Sequence, residues 1–128
     1  MKDRIICLVG ASGSGKTTIA KELEKRGYNV IQSYTTRKPR YKNEWGHTFI
    51  KKAIGHEIKM NKTMIAFKKL YDYEYFATKE QYQGKGTSIY IVDPDGSDQV
   101  KHNVKDAEVI TIFLNADENV RYHRMVKD

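Results

Sequence analysis

Gly10, Ala11, Ser12, Gly13, Ser14, Gly15, Lys16 and Thr17 stand in a row between an apolar run at 4–9 and a helix-patterned segment at 16–26. Few arrangements constrain a chain more. The glycines let the backbone wrap so tightly that its N–H groups turn inward toward an anion. A helix starting at Lys16 adds the positive end of its dipole at the same spot. Lys16 carries a full charge that reaches β and γ phosphates, and the Thr17 hydroxyl is a ligand for a hard divalent cation. The pattern predicts a triphosphate site for ATP with Mg²⁺. Thr18, in the first turn of the helix, completes the candidate set.

The flanks suit that reading. Residues 4–9 are rich in β-branched and apolar types, as a buried strand requires. Ile19, Ala20 and Leu23 share one face of the following helix, and Gly27 is its stop. A second strand is expected at 28–33, with Val30 and Ile31 at its centre. The pattern then turns polar, aromatic and basic over 34–85, with short strand-like pieces at 48–50, 64–70 and 74–77. Strand and helix alternation resumes at 87. A strand at 88–92 ends in Asp93, a short helix follows Gly96, a fourth strand covers 108–114, and Asp117 opens a last helix. This order predicts an α/β fold of three layers, helices on both faces of a parallel sheet, with right-handed crossovers. The core is expected at 1–33 and 86–128, with an inserted subdomain at 34–85. Ligands on such sheets sit at the carboxyl ends of the strands. The glycine-rich loop, Ser33 and Asp93 all fall there. Asp93, delivered by a buried strand, is the second candidate metal ligand beside Thr17. Asp95 either faces the same cleft or belongs to a simple turn.

The 128 residues suit one domain. No apolar run is long enough for a membrane span, and the start reads as a strand rather than a signal peptide. The single cysteine, Cys7, lies in the apolar run, so a buried thiol is expected and a disulfide framework is not. These features predict a cytoplasmic protein. The four histidines form no metal constellation, and His102 and His123 are read as surface residues. The net charge of +7 admits nucleic acid, an anionic membrane surface or a polyanionic small ligand. Basic and aromatic residues do alternate near 71–75, as on a base-stacking surface. The phosphate site makes nucleic acid the weaker reading beside a phosphate-bearing small ligand.

Ser33, Tyr34, Thr35, Thr36, Arg37, Lys38, Pro39 and Arg40 follow directly on the second strand, with Gly46, Phe49 and Ile50 beyond. This segment resembles the opening of the nucleoside-monophosphate subdomain of the guanylate kinase family. The resemblance continues at Tyr75, Phe76, Ala77 and Thr78, at Val92 to Gly96, and at Arg124 and Met125. It covers most of 4–126 in the family's order. It implies a P-loop NTPase fold with a small inserted acceptor-binding subdomain, and ATP-dependent phosphoryl transfer to a nucleoside monophosphate, GMP or dGMP by family. Arg37 and Arg40 would clamp the acceptor phosphate, a task that suits guanidinium forks on chemical grounds alone. Ser33, Thr78 and Asp95 would face the base. His47 falls where the family has a phosphate-contacting tyrosine, and Phe76 replaces another. Arg121 and Arg124 would open the helix leading to the lid, while the lid and the last strand lie outside the chain. The family's base-reading glutamate aligns with Ala66 or Phe67, where there is no carboxylate. Asp95 or Glu74 is left to replace it, and the base preference is expected to be relaxed or altered. Two other readings stand beside this one: a phosphate-loop kinase for a different acceptor, and a guanylate kinase-like binding module with weak catalysis.

Overall fold

The apolar run forms β1 (Asp3–Gly10), the organising strand of the molecule. The structure, a computed structural model, describes residues 2–11 and 14–115. β7 (Thr87–Ile91) lies parallel to β1 on one side, with Arg4 opposite Thr87 and Leu8 opposite Ile91. β8 (Ala107–Leu114) lies parallel on the other, from Asp3 opposite Ala107 to Gly10 opposite Leu114. β2 (Asn29–Val30) pairs in parallel with β7, so the sheet runs β2-β7-β1-β8.

Alternation along β1 feeds two cores. Leu8 packs with Ile89 and with Ala20 of α1 (Lys16–Lys25), and Ile6 and Leu23 close over them. Ile5 and Cys7 point the other way, into a cluster with Tyr90 and with Val100 of α3 (Pro94–Asn103). One helix on each face makes the expected three layers. Burying an isoleucine or valine contributes about 1.5–3 kcal/mol, so Ile5, Ile89 and Val100, all under 2% exposed, fix the layer spacing. Cys7 is the buried thiol foreseen, and burial pushes its pKa up to about 11. Among the described residues no helix is long and apolar enough to cross a membrane.

A second sheet is built from 33–78. β3 (Ser33–Thr35) pairs in parallel with β4 (His47–Phe49) and antiparallel with β6 (Tyr73–Thr78), which also carries β5 (Met64–Leu70). The order is β4-β3-β6-β5. Three of these strands fall where strand-like pieces were expected.

Three expectations need correction. The strand expected over 28–33 is only Asn29–Val30, extended by one hydrogen bond from Ile31 N–H to the Ile89 carbonyl (2.9 Å). The Gln32 carbonyl is already taken by the Gln81 side chain (2.8 Å), and Ser33 belongs to the second sheet. The helix expected after Gly96 begins at Pro94. Asp93 caps it by accepting from Gly96 N–H (2.7 Å), and proline suits its first turn, so residues 93–96 are a helix start rather than an isolated turn. Finally, α2 (Lys52–Asn61) was not foreseen. It has no capping side chain, and its only buried residue is Gly55, which sits close to Ile50, Thr36 and Phe76.

Candidate functional site

The glycine-rich loop leaves β1 at its carboxyl end and feeds straight into α1. Gly15, in the left-handed region at φ 94°, makes the turn into the helix. No side chain caps α1, and its first turn contains no acid. The N–H groups there stay available for an oxyanion, and no acid in that turn repels one. The Lys16 amine folds back onto the Gly10 carbonyl. These features fit a phosphate group. Ala11, Ser14, Gly15, Lys16, Thr17 and Thr18 lie in or beside this cradle, while Ser12 and Gly13 lie outside the described residues.

Thr17 lines a recess with Val30, Ile31, Trp45, Gly46, His47 and Ile91. Trp45, which sequence reasoning passed over, docks the second sheet's loop onto α1. Its Nε1–H donates to Glu24 (3.2 Å), and the Lys21 amine stands 5.4 Å from its ring centre. An isolated tryptophan in a polar stretch was the available signal.

His47 and Ile91 also form a wall of a larger cavity, about 230 Å³, between the two sheets. Ser33, Lys68, Tyr75, Asp93 and Gln99 supply its polar groups, and Phe67, Leu70, Tyr90 and Val92 much of its apolar surface. Ser33 Oγ and His47 Nδ1 are 2.9 Å apart, a consequence of their pairing across β3 and β4. Burial, and then the Arg37 charge, hold the His47 pKa below the ordinary imidazole value, so the ring is neutral at pH 7. Partial burial opposes the Asp93 charge. Lys68, at 2.7 Å, and Gly96 N–H outweigh it and hold the carboxyl below the usual range.

Arg37 and Arg40 line a different groove, with Pro39, Phe49, Lys51 and Lys52. Arg37 is almost fully engaged. It forks onto Glu44, donates from Nε to the Tyr75 hydroxyl (3.2 Å), and lies 5.5 Å from the Phe49 ring centre. Glu44 also accepts from Arg40 N–H (2.8 Å) and so ties the loop together. Tyr75 links the cavity to this groove, because it lines the cavity and its hydroxyl accepts from Arg37 of the groove.

Other candidates sit elsewhere. Thr78 is buried at the start of a 3-10 turn, its N–H bound to Gln81 (2.9 Å). Asp95 is exposed and accepts from Gln99 (2.9 Å). Glu74 faces away from the cavity and pairs with Lys59. Neither carboxylate lines the cavity. Gln99, which sequence reasoning missed, receives Phe67 N–H (2.9 Å) and donates to the Phe67 carbonyl (3.0 Å). Arg121 and Arg124 lie outside the described residues. Among the described residues no group of three or more His, Cys, Asp or Glu could hold a metal by itself.

A parallel sheet in the order β2-β7-β1-β8, with a phosphate cradle at the end of β1 and an inserted sheet over the strand ends, defines a P-loop kinase fold. Sequence comparison agrees: the profile of the AAA domain family matches residues 6–128, and the chain belongs to that family. Among solved structures, guanylate kinase from Anaplasma phagocytophilum superposes with a TM-score of 0.69 over 98% of this chain and 68% of that one, at 19% identity. Likeness at that identity is a likeness of fold. No curated protein matches the sequence.

Proposed function

We propose that the protein transfers a phosphoryl group from ATP to a nucleoside monophosphate. One observation carries the reading: the recess at Thr17 and the cavity at Ser33 share His47 and Ile91 as a common wall. A donor held by the cradle and an acceptor held in the cavity are then neighbours. Phosphoryl transfer asks for little more than two reactants in line with their charge offset. Lys16 and the α1 N-terminus hold the donor phosphates. Arg37 and Arg40 are the cations for the acceptor phosphate, and in this role Arg37 exchanges Glu44 for phosphate oxygens. Ser33 and the apolar wall seat the base. Thr17 and Asp93 would hold Mg²⁺, which would offset the negative charge of the donor phosphates. No covalent intermediate is required. By family the first acceptor to try is GMP or dGMP.

The test is ADP release with a panel of monophosphates, on the wild type and on Lys16→Ala. The variant should lose transfer while its melting temperature stays nearly unchanged, because among the described residues the Lys16 amine meets only the Gly10 carbonyl. Arg40→Ala should raise the acceptor KM about tenfold or more and leave ATP affinity alone. If no monophosphate stimulates ADP release above the rate with ATP alone, the reading is wrong.

A further inference from the structure

The groove at Arg37 carries more positive charge than a monophosphate can use. Its construction follows from the register of the second sheet. β3 and β4 run in parallel, Thr35 opposite Phe49, so the segments that leave them emerge at one end of the sheet. Both segments are basic. Lys38 and Arg40 follow β3, and Lys51 and Lys52 follow β4 where α2 begins. β6 runs antiparallel to β3, Thr35 opposite Tyr75, and so brings Tyr73 to the same end. The lining of the resulting groove, about 740 Å³, includes these four cations, Arg37 and Tyr73.

Among the described residues no carboxylate lines this groove. A phosphate monoester carries about two charges at most, and Arg37 and Arg40 are enough to meet them. Lys38, Lys51 and Lys52 are then in surplus. Among the described residues their side chains make no ion pair and no hydrogen bond. Lys52 also borders a recess holding Asp72 and Glu74, but Glu74 is taken by Lys59. Like charges gathered this way repel one another, a cost that a polyanion removes.

Two rings stand at the same end with open faces. Tyr73 is 42% exposed. Tyr71, in the turn between β5 and β6, is 85% exposed and sits at φ 55°, a left-handed conformation that bulky residues seldom take. Among the described residues no ring or cation is stacked on either. Phe49 is different, since Arg37 already lies over it. The basic and aromatic alternation at 71–75 thus divides in the fold: Tyr75 turns to the acceptor cavity, while Tyr71 and Tyr73 face outward beside the lysines.

We infer that this end of the second sheet binds single-stranded nucleic acid, with the surplus lysines on successive phosphates and Tyr71 and Tyr73 stacked on bases. Cations beside open aromatic faces are what a strand of any sequence requires. A duplex keeps its base faces stacked on one another and has none to offer. A bilayer is too flat to enter the groove, and a free nucleotide brings one base to two rings. The inference stands apart from the transfer reading, in which Lys38, Lys51, Lys52, Tyr71 and Tyr73 have no part.

The test is fluorescence anisotropy of a labelled oligothymidine strand, titrated with the full chain at several salt concentrations. Binding should saturate, and three phosphate contacts at ~0.7 each predict a slope of about −2 for log K against log salt. Replacing Lys38, Lys51 and Lys52 together by Gln should weaken binding at least tenfold and cut that slope to less than half. All three are exposed, and circular dichroism checks that the variant is folded. Tyr71→Asn combined with Tyr73→Thr puts in residues that suit the turn and the strand. That pair should weaken binding roughly tenfold or more and leave the salt slope alone. Lys25→Gln combined with Lys105→Gln, at exposed sites elsewhere, should change neither quantity. The inference is overturned by an absence of saturable binding at about 0.1 M salt, or by a duplex of equal length binding as tightly. Tyrosine variants without effect overturn it too, as does a Lys25 and Lys105 control that loses as much affinity as the groove variant. Sedimentation with phosphatidylserine vesicles, without binding to the strand, would make the surface a membrane contact instead and overturn it as well.

Discussion

Arg37 grips Glu44 with a two-pronged contact, Nη2 to Oε2 at 2.7 Å and Nη1 to Oε1 at 3.3 Å, and the two side chains are only 11% and 7% exposed. The pair has a consequence at low pH. The Arg37 fork, and then Arg40 N–H, hold the Glu44 pKa down to about 2. A carboxyl whose pKa is lower in the folded state stabilises the fold above its unfolded value, about 4.3, and loses that contribution as pH falls through the folded one. Stability should therefore decline between about pH 4.5 and pH 2. In Glu44→Gln that part of the slope should flatten. Urea midpoints measured across the range decide it, and an unchanged slope in the variant would show that other carboxylates dominate.

Trp45 is the only tryptophan in the sequence, and it lines the recess beside Thr17. Its emission should respond when a nucleotide fills the cradle. Titration with ATP and Mg²⁺ should give a saturable change of more than about a tenth of the signal. Lys16→Ala should shift the midpoint by roughly ten- to a hundredfold, as expected for a lost charged hydrogen bond. An emission that stays flat while ATP binding is detected by another method would place the nucleotide away from this recess.

The core was legible where its signals are local. An apolar run closed by Gly10, and Ser88 to Val92 closed by Asp93, name their own strands and put their ends together. The phosphate cradle needed only consecutive residues. What stayed hidden depends on partners brought close by the fold. Glu44 is seven positions from Arg37, Trp45 is 21 from Glu24, and Lys68 is 25 from Asp93. No periodicity marks such pairs. Helix α2 was hidden for another reason. It turns Gly55 rather than an apolar stripe toward the sheet, and glycine inside a segment normally argues against a helix. The loop's role for Gly10 was also incomplete, because the residue is constrained by β8 as well as by phosphate.

That constraint gives a stability prediction. A Cβ on Gly10 would lie 2.6 Å from the Leu114 carbonyl and 2.9 Å from Ser14 Oγ. The first neighbour is backbone of the paired strand and cannot swing aside. Gly10→Ala should destabilise the fold by about 2–3 kcal/mol, in the upper part of the overpacking range. That corresponds to roughly 5–10 °C in melting temperature for a chain of this size. A shift below about 2 °C would mean that β8 is held loosely enough to give way.

Gln99 offers the sharpest separation of acceptor from donor site. Its side-chain amide mimics a strand neighbour, receiving Phe67 N–H at 2.9 Å and donating to the Phe67 carbonyl at 3.0 Å. It thereby fixes α3 to β5 at the cavity wall. Gln99→Leu keeps the bulk and removes both bonds. The cost should be about 1–3 kcal/mol, because a half-buried peptide group is left without its partners. The effect on function should be selective. Phe67 and Lys68 stand on the released stretch of β5, so the acceptor KM should rise several-fold. The phosphate cradle hangs from β1 and α1, so ATP affinity should not move. Asp95→Ala is the control, since it removes only the 2.9 Å contact to Gln99 and leaves the Phe67 bonds in place. It should be near wild type in both constants. Parallel loss of ATP and acceptor affinity in Gln99→Leu, at a temperature where the variant is fully folded, would show that the two sites are one mechanical unit and that the division drawn at the His47 and Ile91 wall is wrong.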